Sequence, residues 1–350
     1  MDDQVKHILR SAIHQEATDV HLVINRPPIF RIHGVLSTSD LPPLPPNELK
    51  KLIYGMLTDR QKKTYEEERD LDFSLFGVDE GNFRVNVYHE KGHEAATFRI
   101  IPSSIQSEEV LNLPNEVTKL ANKRKGIIIF AGSAGSGKTT SMTYLINLIN
   151  NNQKRKIVTI EDPIEYVHVS NKSLIVQREV GADTKSFASA LKYSLRQDPD
   201  VVMVGEIRDL ESISMALTTA ETGHLVLTTV HSPDSIETIN RIIDVYPAEK
   251  RDQIWLQLAE NLVAVVAQIL VPRSDKQGRV LVTEVLLATM PIRNMIRRGA
   301  LIEIRGQLDT ETNAGCHTFE ACLSDLCRKG IISKETAKEY SNHPHNLKLG

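Results

Sequence analysis

The segment GSAGSGKTT at positions 132–140 constrains the fold more than any other part of the chain. It fits the pattern G-x-x-x-x-G-K-[ST], with the apolar run IIIFA before it and a segment that is apolar on one helical face after it. In a strand–loop–helix of this kind, backbone N–H groups and the helix N-terminus together bind phosphate oxygens. We therefore predict a nucleotide site made of Gly132, Ser133, Ala134, Gly135, Ser136, Gly137, Lys138, Thr139 and Thr140.

Two side chains of this segment have predicted roles with ATP and Mg²⁺. Lys138 can reach the β- and γ-phosphates, and the Thr139 hydroxyl can bind Mg²⁺. A glycine-rich turn without a ligand is the alternative, and the flanking strand and helix patterns argue against it. The loop alone does not name the reaction, because kinases, GTPases and motors all contain one.

Short apolar runs dominate the chain after residue 114, and they predict an α/β fold. GIIIFA, KIVTI, SLIV, DVVMVG and HLVLTTV alternate with segments of helical period, which is typical of a mainly parallel sheet with helices on both faces. Glu206 follows one of these strands at the sheet edge where ligands bind, so its carboxylate is a second candidate for Mg²⁺. His231 follows another and is placed to sense the γ-phosphate, whereas His224, at the start of that strand, is better explained structurally.

Residues 1–101 predict a smaller α+β domain. An opening helix leads to the strands in DVHLVI and PPIFRIHG, a helix begins near Asn47, and Thr58 with Gln61 forms a capping box for another helix. LDFSLF, NFRVNVYH and EAATFRII then predict three antiparallel strands. Residues 102–113 have the composition of a linker, and the second domain spans 114–350, mostly helical from about 247 with a strand pair around RVLVTEVLL.

The composition excludes several classes of protein. A formal net charge of -3, without a long basic stripe, argues against a nucleic-acid groove. The longest apolar run, at 262–271, is far shorter than the ~20 residues of a spanning helix, and MDDQVKHILR does not resemble a signal peptide, so we expect a cytosolic protein. Cys316, Cys322 and Cys327 form no CxxC pair, so we expect no structural zinc and interpret them as packing residues of a C-terminal helix.

Three carboxylates follow the strand in KIVTIEDPIEYVH, and their positions predict different roles. Asp162 precedes a proline and is best explained as the anchor of a turn. Glu165 lies on a loop that can arch over a γ-phosphate, where a carboxylate can orient the attacking water. Glu161 directly follows the strand and receives no role from its position.

Taken together, the motifs resemble the secretion ATPase superfamily that powers type II secretion and type IV pili. The resemblance spans nearly the whole chain. It includes the phosphate-binding loop at 132–140 (the P-loop) and the segments TDVHL, TIEDPIEYVH, QREVG, LRQDPDVVMVGEIRDLES and AETGHLVLTTVHS. It implies a hexameric ring of RecA-like ATPase domains, each preceded by a PAS-like domain, and it matches Glu165 to the family's catalytic position. It also matches Arg84 and Arg99 to arginines that reach the γ-phosphate across a domain interface; alone, each looks like a strand arginine facing water.

Within the superfamily, the chain is most similar to the pilus-retraction branch. PIRNMIRRG at 291–299 resembles a segment of that branch, although Pro291 and Arg298 depart from its pattern, and the zinc insert of the assembly members is missing. The resemblance implies a cytoplasmic homohexamer, peripheral at the inner membrane, that acts on a pilus platform protein. Open alternatives are a pilus-assembly, secretion or DNA-uptake ATPase, a RecA-like nucleic-acid motor, a P-loop kinase, and a scaffold that binds ATP without useful turnover.

Overall fold

The computed structural model describes residues 2–78, 81–101 and 111–349, with the side chains of 77 and 78 left out. Contacts divide the chain into two compact units. The first contains the described residues up to 101 together with Pro163–Val167, and the second contains the remainder from 111 onward. Positions 102–110 of the predicted linker lie outside the described residues.

The first unit is built on a six-stranded antiparallel sheet with the order β3-β2-β1-β6-β5-β4. Its elements are α1 (Asp3–His14), β1 (Ala17–Leu22), β2 (Ile29–Ile32), β3 (Val35–Thr38), α2 (Pro46–Met56), α3 (Asp59–Glu68), β4 (Asp70–Val78), β5 (Gly81–Glu90) and β6 (His93–Ile101).

The predicted elements of this unit are confirmed, with one strand added. The Thr58 side chain accepts a hydrogen bond from the Gln61 backbone and the Gln61 side chain accepts one from the Thr58 backbone, which is the predicted capping box at the start of α3. Strand β3 was not predicted, because all four of its side chains are exposed and its sequence carries no apolar alternation. Helices α1 and α2 supply Leu9 and Leu49 to the unit's apolar core, which also contains Phe30, Phe83 and Phe98.

The second unit is built on a seven-stranded sheet with the order β13-β12-β7-β11-β10-β8-β9, parallel throughout except for the edge strand β13. Its strands are β7 (Gly126–Ala131), β8 (Lys156–Glu161), β9 (Leu174–Glu179), β10 (Val201–Val204), β11 (Leu225–Val230), β12 (Leu262–Pro272) and β13 (Arg279–Leu287). Its helices are α4 (Asn115–Thr118), α5 (Lys138–Asn152), α6 (Phe187–Ser194), α7 (Leu210–Glu221), α8 (Ser235–Asp244), α9 (Ala248–Asn261), α10 (Met290–Arg297), α11 (Leu301–Thr310), α12 (Phe319–Arg328) and α13 (Lys334–Glu339).

Both faces of this sheet are covered by apolar side chains, which explains the continuous apolar runs in the sequence. On β7, Ile127 and Ile129 belong to one core, and Ile128 and Phe130 belong to the core on the other face. A strand alternates its side chains between the two faces, so a strand buried on both sides contains no polar interruption. The predicted α/β class with a mainly parallel sheet is confirmed.

The apolar run at 262–271 forms strand β12, parallel to β7 and antiparallel to β13. Within the described part of the chain, none of the helices combines the length and the apolar character needed to cross a membrane. Cys322 and Cys327 lie on α12 as predicted, whereas Cys316 precedes that helix and packs beside Leu287 at the end of β13.

Candidate nucleotide site

The segment 132–140 forms a loop between the carboxyl end of β7 and the start of α5, and its glycines are required by the backbone. Gly137 caps α5 with φ of 92°, a left-handed conformation that side chains disfavour. Gly132 has φ of +143°, and a Cβ there would lie 2.4 Å from both the Gln268 carbonyl oxygen and Ser136 Oγ. The motif therefore reflects two distinct constraints, one on backbone conformation and one on space.

The Lys138 ammonium is held over this loop by the loop's own carbonyl groups. Its Nζ donates hydrogen bonds to the oxygens of Gly132 at 2.8 Å and Ser133 at 2.7 Å, and only 7% of the residue is exposed. Nearby, the buried hydroxyl of Ser136 has no hydrogen-bond partner among the described residues. An unpaired buried hydroxyl costs about 1–3 kcal/mol, a cost that a phosphate oxygen can offset. The loop thus has the charge and the hydrogen-bonding capacity that a phosphate ligand needs.

Glu206 and His231, predicted from two different strands, are neighbours in the structure. Glu206 Oε2 lies 3.6 Å from His231 Nε2, and Glu206 Oε1 lies 2.5 Å from the guanidinium of Arg208. Burial and the positive charge of Lys138 lower the pKa of His231, and the Glu206 carboxylate only partly opposes them. The imidazole is therefore neutral at physiological pH, and the charge of Lys138 acts on the same group of side chains.

The backbone around His231 is fixed by the following helix. The Arg241 guanidinium, on α8, donates a hydrogen bond of 2.6 Å to the His231 carbonyl oxygen. At the start of α8, the buried carboxylate of Glu284 accepts hydrogen bonds from both the backbone N–H and the hydroxyl of Ser235. The position of the His231 backbone therefore depends on α8, through Arg241 in its last turn, as well as on β11.

Glu161, for which the sequence indicated no role, is a buried carboxylate at the end of β8. Only 4% of it is exposed, and its Oε1 accepts hydrogen bonds from Thr159 Oγ1 at 2.6 Å and Gln177 Nε2 at 3.1 Å. Gln177 Oε1 in turn accepts a hydrogen bond of 2.7 Å from the backbone N–H of His168. Part of this contact could have been predicted, because Thr159 and Glu161 are two positions apart and lie on the same face of β8. In the structure, Gln177 on β9 is the register partner of Thr159.

This network, which we call the Gln177 clasp, consists of Gln177, Glu161 and the backbone of His168. It joins the two ends of segment 162–167, which carries Asp162 and Glu165. By contacts, Pro163–Val167 belong to the first unit, although the sequence interpretation placed them in the domain that begins at 114. The difference arises because a loop's packing partners are not encoded in its local pattern.

Glu165, Arg84 and Arg99 line one cavity of about 230 Å³ in the first unit. The two arginines are register partners on β5 and β6, so their side chains project from the same face of the sheet. Glu165 and both arginines, predicted from distant parts of the sequence, are thus brought together. The remaining predicted residues, Thr139 and Thr140, lie on the first turn of α5.

Arg99 is oriented by a buried acid. Its Nε donates a hydrogen bond of 2.9 Å to Asp19 Oδ1, while 70% of the Arg99 side chain is exposed. Burial raises the pKa of Asp19, but hydrogen bonds from Arg99 and Thr18 outweigh it and bring that pKa below its ordinary value. Arg31 also contacts this carboxylate, with its Nε 3.9 Å from Asp19 Oδ2. The ionised Asp19 therefore fixes the stem of Arg99 and leaves much of its guanidinium accessible.

Comparison with known proteins gives a consistent result over the full length. The model of the family described as Type II/IV secretion system protein matches residues 1–329. The Type IV pilus retractation ATPase PilT of Pseudomonas aeruginosa is 39% identical over 343 residues, which cover 98% of this chain and 99% of that protein. The Twitching motility protein of Neisseria gonorrhoeae is 40% identical over 320 residues, covering 91% of this chain and 86% of that protein.

A solved structure supports the same grouping. The crystal structure described as that of the pilus retraction motor PilT with bound ADP matches with a TM-score of 0.92 and 39% identity, covering 99% of both chains. The Legionella pneumophila ATPase DotB matches less closely, with a TM-score of 0.84 and 27% identity over 96% of this chain and 94% of that one. The predicted superfamily is confirmed: the chain belongs to the type II/IV secretion system protein family and is a P-loop ATPase of its PilT-type branch.

Proposed function

We propose that this chain is a homohexameric motor that hydrolyses ATP to retract type IV pili for twitching motility. The observation that carries the proposal is its full-length similarity to a retraction ATPase, at 39% identity over 98% of the chain. The geometry of the P-loop and of the Glu206–His231 pair supports the hydrolytic part. We further propose that the motor acts at the cytoplasmic face of the inner membrane on a pilus platform protein.

In this proposal, the P-loop binds the phosphates and Thr139 and Glu206 hold Mg²⁺. The donor set fits this ion, because hydroxyl and carboxylate oxygens are the hard ligands that Mg²⁺ prefers. When bound, Mg²⁺ supplies positive charge to the β- and γ-phosphates. Lys138 adds its ammonium beside the same oxygens, exchanging the carbonyl groups of Gly132 and Ser133 for phosphate.

Glu165 then orients the attacking water, and His231 senses the γ-phosphate. The neutral state of the imidazole supports this role for His231, because a neutral ring can donate one hydrogen bond without adding a fixed charge. Because His231 lies against Glu206, a change at His231 on γ-phosphate binding can reach the carboxylate that would hold Mg²⁺.

Arg84 and Arg99 stabilise the transferring phosphoryl group from a neighbouring subunit of the hexamer. A guanidinium fork suits the charge that spreads over the equatorial oxygens. The exposure of the Arg99 guanidinium beyond its Asp19 contact supports this assignment, because it leaves the group accessible to a ligand outside its own unit. Hydrolysis would thereby be coupled to movement between subunits, which is how the motor would exert force on the base of the pilus.

Deletion of the gene tests whether the motor retracts pili or assembles them. We expect cells with excess surface pili and no twitching, restored by the wild-type gene but not by a Lys138→Ala gene. Bald cells would instead assign the protein to pilus assembly and contradict the proposal. Normal pili and twitching, with a defect in protein secretion or DNA uptake, would contradict it as well.

A further inference from the structure

A second cavity, of about 540 Å³, lies in the second unit at the edge of the sheet opposite the P-loop. Lys125 lines it and directly precedes the amino end of β7, whereas the P-loop follows the carboxyl end of that strand. The six residues of β7 span about 20 Å. The cavity and the nucleotide site are therefore separate, and the proposed function does not use this cavity.

The charge of the cavity is strongly positive. Lys119, Lys123, Lys125 and Arg293 line it, against a single carboxylate, Glu116. In the described residues, none of the three lysines has an ion-pair partner. These exposed lysines give the cavity a positive potential that favours the binding of an anion.

The residue that precedes α10 lies in the wall of the same cavity. Its N-cap residue, Thr289, lines the cavity and makes no capping hydrogen bond with its side chain. The Thr289 hydroxyl oxygen is buried and has no partner among the described residues, although such a group normally satisfies an N–H of the first helical turn. The positive partial charge of a helix N-terminus favours an anion at this end, although Pro291 in the first turn has no N–H to donate.

Arg293 ties this helix end to the rest of the cavity wall. From the first turn of α10, its guanidinium donates hydrogen bonds to the carbonyl oxygens of Ala259 and Glu260 at the end of α9. Ile292 and Ile296 are fully buried, so the helix cannot turn to present another face. The start of α10 is thus held in a fixed position beside the lysines.

We propose that this cavity is a second anion-binding site that takes a small, soluble phosphorylated molecule. Three ammonium groups, an unpaired hydroxyl and a helix N-terminus are the groups that proteins use to bind phosphate. The volume lies within the range of small-molecule sites, so the ligand is larger than a single phosphate ion. The lysines neutralise the phosphate groups, and Thr289 donates its hydroxyl proton to a phosphate oxygen.

Calorimetric titration with inorganic pyrophosphate tests the proposal, in protein given one equivalent of ADP and Mg²⁺ per chain to fill the P-loop. We expect one pyrophosphate site per chain in the wild type, and affinity at least tenfold weaker in Lys119→Ala/Lys123→Ala. The matched control is Lys192→Ala/Lys276→Ala, which removes the same charge from exposed lysines of the same unit and should bind as the wild type. Absence of binding to the wild type, or equal loss in the control, would overturn the proposal.

Two further measurements separate the site from general electrostatics and from a lipid headgroup. Thr289→Val keeps shape and charge, and we expect pyrophosphate affinity about fivefold weaker with an unchanged melting temperature; unchanged affinity would contradict a ligand in this cavity. Sedimentation with phosphatidylglycerol vesicles should be the same for the wild type and the Lys119→Ala/Lys123→Ala variant. Sedimentation lost only in that variant would identify a lipid headgroup and contradict the soluble ligand.

Discussion

Gln177 Nε2 lies 3.1 Å from Glu161 Oε1, and this contact closes the Gln177 clasp around the segment that carries Glu165. The same side chain accepts the backbone N–H of His168, so one residue of β9 holds both ends of the segment. Both contacts lie at the ends of segment 162–167, so we expect the clasp to affect the position of the proposed catalytic carboxylate of Glu165.

Gln177→Leu should therefore lower catalytic turnover more than nucleotide binding. The substitution removes the hydrogen bonds of Gln177 to Glu161 and to the His168 backbone, each worth about 1 kcal/mol, and we expect this to loosen segment 162–167. We expect kcat to fall about tenfold while ADP affinity stays within about twofold of the wild type, measured by steady-state hydrolysis and calorimetry. Gln257→Leu, which removes a surface hydrogen bond to Glu221, is the control and should change neither. Weaker ADP binding with unchanged kcat would assign Gln177 to the nucleotide site instead.

Arg99 and Arg31 provide a matched pair, because both contact the buried Asp19 but only Arg99 lines the cavity with Glu165. Arg99→Ala should lower kcat by about 10²–10³, the usual effect of removing one donor to a transition-state charge. Arg31→Ala makes the same change in net charge and should lower it by less than about threefold. The two variants are compared by their ATP hydrolysis rates at saturating ATP. Equal effects of the two substitutions would show that Arg99 has only a structural role.

His168 should make the folded protein sensitive to acid. Burial lowers its pKa from 6.5 to about 4, so between these values the unfolded chain binds a proton that the folded protein does not. Stability is therefore unaffected above pH 6.5 and falls as the pH decreases toward 4, by about 3 kcal/mol in the limit.

Urea unfolding at pH 7 and pH 4.5 measures this contribution. Since His168→Gln cannot take up the proton, the variant should lose less stability between the two pH values than the wild type, by about 2 kcal/mol. The exposed His33, replaced by Gln, is the control and should behave as the wild type. An identical pH dependence in His168→Gln and the wild type would contradict the lowered pKa of His168.

Lys138→Ala tests the P-loop itself. The substitution removes the one ammonium held by the loop carbonyl groups, and we expect no detectable ATP hydrolysis and ADP affinity reduced at least tenfold. Lys185→Ala, at an exposed lysine of the same unit, should leave both unchanged. Retained hydrolysis in Lys138→Ala would remove this loop from the mechanism.

Sequence patterns predicted the elements that carry a strong physical signature. The parallel strands were recognisable because burial on both faces demands continuous apolar runs. The P-loop was recognisable because a side chain at Gly132 would clash with its neighbours and Gly137 adopts a left-handed backbone conformation. Strand β3 lacked any signature, since no side chain of it is buried. The meeting of Arg84, Arg99 and Glu165 required the resemblance to a family, because each residue alone looks like an ordinary surface charge.

Glu161 shows what local reasoning cannot supply. Its carboxylate was visible in the sequence, but its burial and its contact with Gln177 depend on the order of β8 and β9 in the sheet. In the same way, the cavity beside α10 collects lysines from before β7 and a threonine from after β13, about 160 positions apart. Contacts of this kind follow from topology, which the apolar pattern does not fix.

The most direct test of the central claim compares ATP turnover in Glu165→Gln and Asp162→Asn. Each substitution removes one negative charge from the same segment and changes the side chain by only one atom. If Glu165 orients the attacking water, Glu165→Gln will lower kcat by about 10²–10³ with ADP binding retained, and Asp162→Asn will keep most of the activity. Turnover that survives Glu165→Gln and vanishes with Asp162→Asn would contradict the account.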